Sequence, residues 1–243
     1  MEAEERIHLD SITRSSDYPP PPENARSLVL RDWPRMLALL LVVTAATAIA
    51  VAWIDLPLAQ FVAGSLSESG AGFVTEMEFP DLLDVFVAII TVVSWIGYVI
   101  LRRRHAGWRF VCLLQVIGTA LPFSYTAKDL LKAVFGRVNT RYWLDHPYHF
   151  EFRWLSAGDN FFGFPSGHMA IACALAFAVM HYYPRLRPLG WLAICALAAA
   201  LVVSEYHFLG DVISGGYIGY LAFVAARELP GAMPRQAHRA HYY

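Results

Sequence analysis

Three short stretches carry residue types able to do acid–base, nucleophilic or anion-binding chemistry. The first is Phe161–Ala170, FFGFPSGHMA, placed between a charged loop and an apolar run. Pro165 stops what precedes it, and Ser166 is suited to cap a helix, its hydroxyl taking up a free backbone N–H of the first turn. Gly167 lets a ligand approach the backbone, and His168 projects from the first turn. First-turn amides carry partial positive charge, so such a helix end favours anions. A histidine beside it suggests proton transfer to a phosphate ester.

The second stretch is His207-Phe-Leu-Gly-Asp211. Four residues apart, His207 and Asp211 share a face if both lie on a helix. A carboxylate on one imidazole nitrogen fixes the tautomer and leaves the other nitrogen free as a nucleophile. The third stretch, KAVFGRVNTR from Lys132 to Arg141, is basic. Ionisable side chains at the edges of membrane helices are functional candidates.

The elements that must position these residues are apolar. The chain has 243 residues, 57% of them hydrophobic and 16% charged, against about 25% charged in ordinary globular domains. A net charge of −1 provides no field pointing to nucleic acid, and no nucleic-acid partner is expected. Cys112, Cys173 and Cys195 all lie in apolar runs and read as small core residues.

A bilayer crossing needs about 20 apolar residues. Six runs qualify: Met36–Ile54, Leu82–Leu101, Trp108–Tyr125, Gly167–Tyr183, Leu189–Tyr206 and Val212–Arg227. No strand pattern competes. The fold class expected is all-α, a polytopic membrane protein of about six transmembrane helices with its active site at the outward membrane face. Residues 1–35 read as a disordered cytoplasmic tail rather than a signal peptide, 36–228 as the membrane domain and 229–243 as a second cytoplasmic tail. Between the first two runs, Pro57–Leu66 suggests a short interfacial helix.

Arginines at 26, 31, 35, 102–104, 185, 187, 227, 235 and 239 fall on one face under six crossings, which makes that face and both termini cytoplasmic. Loops 55–81, 126–166 and 205–211 then face outward, and all three chemical stretches share that side. The outward loop 126–166 nevertheless holds Lys128, Lys132, Arg137, Arg141 and Arg153, a basic cluster that anion binding explains. Asp145, His146, His149 and Glu151 form a further polar group there.

FPSGH, HFLGD and LLKAVFGR together resemble the three signature blocks of the type-2 phosphatidic acid phosphatase superfamily. These are six-helix lipid phosphatases, related at the site to bacterial acid phosphatases and vanadium haloperoxidases. The resemblance spans roughly Leu101 to Arg227. It implies that Lys132 opens the first block, that Ser166, Gly167 and His168 form the second, and that His207 and Asp211 are nucleophile and orienting acid. Two departures stand out. The Arg-Pro closing the first block is replaced by Asn139-Thr140, and the arginine six residues before the third-block histidine is replaced by Leu201. Arg137 and Arg141 are the cations expected to take over, as phosphate ligands beside Lys132, Ser166 and Gly167.

The function expected is hydrolysis of a phosphomonoester or diphosphate lipid headgroup through a phosphohistidine, with no metal and no cofactor. The partners expected are a lipid phosphate substrate and membrane lipids, and the place a bacterial inner membrane with the site facing the periplasm. The alternatives are a lipid phosphotransferase and a non-catalytic headgroup-binding protein. A transporter is disfavoured by runs nearly free of charge in their middles.

Overall fold

Eight helices, introduced in chain order below, carry most of the described backbone in the computed structural model, which describes residues 25–68, 82–103, 108–147, 152–155 and 160–229. Contacts divide the chain into residues 1–37, described only as the opening of a helix, and residues 38–243, which contain every candidate site residue.

Helix α1, Ala25–Ile49, passes through a π-helical turn, Ala50–Ile54, directly into α2, Asp55–Glu68. The backbone is thus helical from Ala25, inside the segment expected to be a tail. The first span does not end at Ile54 in a loop either: Asp55 donates its N–H to the Ala50 carbonyl, and the helix continues. The expected readings of residues 1–24, 69–81, 148–151, 156–159 and 230–243 lie outside the described residues.

Helices α3, Leu83–Arg103, and α4, Trp108–Phe135, form an antiparallel pair. Pro122 inside α4 has no N–H to offer the Gly118 carbonyl one turn earlier. The Trp95 indole of α3 donates to that carbonyl instead, at 3.0 Å. A Cβ on Gly118 would sit 2.9 Å from the same indole ring, so glycine is what admits it. The 28 residues of α4 extend about 42 Å, well beyond a hydrocarbon core of about 30 Å. The excess carries Lys128 and Lys132, so these two lysines stand on the last turns of a helix and not in the loop expected from residue 126. Cations in the last turn complement the helix dipole.

The short helix α5, Thr140–Asp145, precedes α6, Gly167–Tyr182, then α7, Arg187–Val203, and α8, Leu209–Arg227. Among the described helices, α6 and α8 make the most extensive contact. Gly215 and Gly219, one turn apart on α8, permit it: a Cβ at either would run into the Ser166 or Ala170 carbonyl of the α6 start. Such small-residue stripes let membrane helices approach closely.

Exposure sorts the helices into two sets. Leu41 and Val42 on α1, Ile89 and Val93 on α3, and Leu189 and Leu192 on α7 are each more than half exposed. Water would penalise an apolar surface of that extent, whereas lipid accepts it. Helices α4, α6 and α8 bury Val116, Leu121, Ile171, Ala174, Val212 and Phe223 between them. Among the described residues, five helices are long and apolar enough to cross a membrane; α6, with 16 residues, is shorter. The protein is an all-helical integral membrane protein.

Candidate active site

Backbone geometry assembles the three chemical stretches at one end of α4, α6 and α8. Helix α4 ends on Gly136, whose φ of 51° suits glycine and turns the chain out of the helix. Residues 136–139 then thread between two other segments. Arg137 forms an isolated antiparallel bridge with Phe152. Gly163 N–H donates to the Arg137 carbonyl at 2.8 Å, and Asn139 N–H to the Asn160 carbonyl at 2.9 Å. At the next junction Ser166 caps α6, its Oγ accepting from the Met169 N–H at 3.4 Å. Its own N–H donates to the Asp211 backbone carbonyl at 3.0 Å, which staples the first stretch to the second.

His207 arrives differently from the expected pairing on one helix. Helix α7 ends at Val203, and Ser204–Phe208 form a turn in which the Tyr206 and His207 N–H groups both donate to the Leu201 carbonyl at 3.1 Å. Glu205 in this turn has φ 58°, a left-handed conformation rare for a side-chain-bearing residue. His207 therefore precedes α8, whereas Asp211 lies in its first turn. Asp211 Oδ2 accepts the Phe208 N–H at 3.1 Å and faces His207 Nδ1 at 3.6 Å. That separation is longer than a hydrogen bond.

His207 and Asp211 are both buried. Burial pushes the His207 imidazole below its ordinary value; Asp211 and the Gly163 backbone pull it back, and the Lys132 charge adds to the lowering. Nδ1 of the His207 ring is turned toward Asp211, which leaves Nε2 on its other side. Tyr206 connects the two histidines, its ring 5.4 Å from His168 and 5.1 Å from His207, both edge-on.

Cations approach from two sides. Arg141, on α5, donates through Nη2 to the Ser204 carbonyl at 3.0 Å, and its guanidinium carbon is 5.8 Å from the Tyr206 ring centre. Burial raises the Glu205 carboxyl, while the neighbouring Arg141 charge opposes that. The Lys128 stem lies on the α6 N-terminus, where a Cβ on Gly167 would come within 2.7 Å of Lys128 Cδ. The ammonium of Lys128 is paired with Asp129 at 2.7 Å and lies 3.9 Å from the Tyr125 ring. Leu201, where an arginine was expected, is fully buried in the apolar cluster of Met169, Cys173, Ile194 and Val212, surroundings that favour leucine.

Arg137 is where the structure departs from the expected phosphate cradle. It is fully buried, with Nη1 on Asp211 Oδ1 at 2.6 Å and Nη2 on Asp55 Oδ2 at 2.7 Å. Phe208 lies beneath it, 4.5 Å from the guanidinium carbon to the ring centre. A guanidinium held by two carboxylates is already compensated, and Asp211 turns one oxygen to it and the other to His207. Asp55 also accepts the Gly210 N–H at 2.9 Å. Sequence reasoning passed over Asp55, although a carboxylate between Ile54 and Leu56 at the end of an apolar run was a signal of a buried partner. His146 stacks on Tyr142 at 4.5 Å and is exposed, and its companions His149 and Glu151 lie outside the described residues. Among the described residues, no group of three or more His, Cys, Asp or Glu stands together as a metal site.

The family model described as the PAP2 superfamily matches residues 110–232, which span all three stretches. No curated protein matches the chain. Among solved structures, similarity is found to the first transmembrane PAP2-type phosphatidylglycerolphosphate phosphatase from Bacillus subtilis. Identity is 20%, coverage is 84% of this chain and 94% of that one, and the TM-score is 0.31.

Proposed function

The chain belongs to the PAP2 superfamily, and on that premise we propose that it is a membrane lipid phosphatase working through a phosphohistidine on His207. The observation that carries this reading is the placement of both histidines on Tyr206, with Asp211 behind His207 and the charges of Lys132 and Arg141 beside them. His207 Nε2 attacks phosphorus in line, forming an N–P bond as the bond to the lipid oxygen breaks. His168 gives that oxygen its proton. Water then attacks the phosphohistidine, His168 takes its proton, and the N–P bond breaks to release phosphate. The Asp211 carboxylate stabilises the imidazole while it carries positive charge.

Lys132, Arg141, the Ser166 hydroxyl and the amides at Gly167 and His168 take the phosphoryl oxygens. Charge stabilisation by such positioned groups supplies most of phosphoryl-transfer catalysis. Arg137 moves in this reading from phosphate to Asp211, and Lys128, resting on Gly167, joins the cations at the mouth of the site. The substrate is a phosphomonoester or diphosphate of a lipid and the acceptor is water. The protein crosses an inner membrane six times, α6 included, with its termini cytoplasmic and its site outward, as the arginine distribution favours.

The test is phosphate release by purified protein from mixed micelles of a phosphatidate and of an isoprenoid diphosphate, with and without EDTA. The reading expects release that EDTA leaves unchanged, that vanadate inhibits and that His207→Ala abolishes. Activity lost to EDTA and restored by Mg²⁺ contradicts the mechanism.

A further inference from the structure

Asp55 lies 152 residues upstream of His207 in sequence and outside the stretch matched by the family model, yet it is 1% exposed and belongs to the same buried network. We infer that Asp55 is a positioning residue for the His207–Asp211 pair, delivered by the π-helical turn of the first membrane helix and acting through Arg137 and the start of α8. The inference rests on the reading of His207 as the nucleophile.

Three contacts carry it. Asp55 Oδ2 holds Arg137 Nη2 at 2.7 Å, while Nη1 of the same guanidinium holds Asp211 Oδ1 at 2.6 Å. The planar fork fixes the two carboxylates relative to each other, which a flexible ammonium does not do. Asp55 Oδ1 accepts the Gly210 N–H at 2.9 Å, so the first turn of α8, which bears Asp211, is held from a second point. Gly210 itself is closely covered: a Cβ there would lie 2.9 Å from Asp55 Oδ2, 3.1 Å from Val51 Cγ2 and 3.4 Å from Arg137 Nη1. The π turn Ala50–Ile54 adds one residue to the helical turn just before Asp55 and thereby sets the direction in which its side chain leaves the helix.

Electrostatics give this arrangement a purpose beyond packing. Paired with Arg137 alone, Asp211 would be neutralised and would do little for a positive imidazole. With both carboxylates ionised, sharing the guanidinium leaves one net negative charge behind His207. That charge balances the imidazole when it becomes positive on attacking phosphorus. Asp55 therefore acts on the transition state rather than on headgroup binding, and its loss should appear in kcat and leave KM unchanged. The acidic limb of the pH profile is the second reporter. Removing a negative charge favours the neutral imidazole, so the limb moves to lower pH.

The experiment compares full-length, detergent-solubilised wild type, Asp55→Asn, Asp55→Glu and Gly210→Ala on phosphatidate mixed micelles, with His207→Ala as reference. Asp55→Asn is expected to lower kcat on the order of 10-fold to 100-fold, the range for carboxylates that orient a metal-binding imidazole. KM stays unchanged and the acidic limb shifts to lower pH. Asp55→Glu and Gly210→Ala keep the charge but displace the carboxylate, so kcat falls and the limb stays in place. A folded Asp55→Asn protein with wild-type kcat and an unmoved limb overturns the inference, as does a loss confined to KM. If Asp55→Asn does not fold, Gly210→Ala decides: wild-type kcat there overturns the inference equally. A wild type without activity, or one whose activity survives His207→Ala, instead overturns the reading of the site itself, and the His207→Ala reference separates that failure from the first.

Discussion

Replacing Arg137 by lysine asks whether this cation serves the fold or the phosphate. Arg137 and its two carboxylates are fully buried, and separate terminal nitrogens bridge them. A lysine ammonium is a point charge and cannot reproduce the two-pronged geometry. Losing one charge-assisted hydrogen bond costs about 1.5–3 kcal/mol, and leaving one buried carboxylate without its cation raises the total toward about 3–5 kcal/mol. For a chain of this size each kcal/mol shifts Tm by about 2–4 °C, so Arg137→Lys should melt about 3–20 °C below wild type. The assay is thermal unfolding of the solubilised protein by tryptophan fluorescence with no anion present, in parallel with vanadate titration of the folded variant well below its Tm. The drop in Tm should appear without ligand, and vanadate affinity should be nearly unchanged. A wild-type Tm combined with weakened vanadate binding would refute the reasoning and return Arg137 to the phosphate cradle.

Arg141 makes the opposite case: it is half-buried and bonds a backbone carbonyl, so Arg141→Gln should leave Tm nearly unchanged and lower kcat/KM by about 10²–10³, with lysine a poor substitute. Activity within a few-fold of wild type would send the search to Lys128 or Arg153. Because burial lowers the His207 imidazole from its ordinary value of 6.5, the acidic limb of kcat/KM should lie below pH 6.5. The same shift makes the unfolded chain bind more protons than the folded one as pH drops below about 6.5, so His207 is expected to reduce stability there and to have no effect above. Unfolding midpoints of wild type and His207→Ala across pH 5–8 check this sign. Gly219→Val puts side-chain atoms where α8 meets the Ala170 carbonyl and should destabilise by about 1–3 kcal/mol or more, read as a fall in Tm.

What the sequence made legible was the local chemistry of the first and second stretches. Ser166 caps α6 because its type and position suit that role, and Asp211 lies in a helical first turn, where a carboxylate is favoured. The apolar runs located the membrane helices because lipid demands roughly 20 apolar residues whatever the tertiary structure. The boundaries that moved belong to residues whose environment is set by distant partners. Asp55 looks like a loop carboxylate until Arg137, 82 positions away, closes on it. Arg137 looks like a phosphate ligand because, in one dimension, a cation in a basic block shows no carboxylate partner. His207 and Asp211 meet through a turn and a helix cap rather than across one helix face, an arrangement that the four-residue spacing alone does not distinguish from a helical pair. Tyr206 carried no motif at all, and its role as the ring between two histidines emerges only when the α6 and α8 starts are side by side.

The central claim is that His207 becomes phosphorylated during turnover. Purified protein mixed with a phosphatidate labelled in its phosphate should be quenched in alkali within the first turnovers, conditions under which a phosphohistidine survives, then digested and read by mass spectrometry. The account predicts one phosphorylated peptide bearing the phosphate on His207. It further predicts that His168→Ala accumulates this species from p-nitrophenyl phosphate, whose leaving group needs no proton, and that His207→Ala shows none. Lipid dephosphorylated at the wild-type rate with no label on His207, or with label on another side chain, would contradict it.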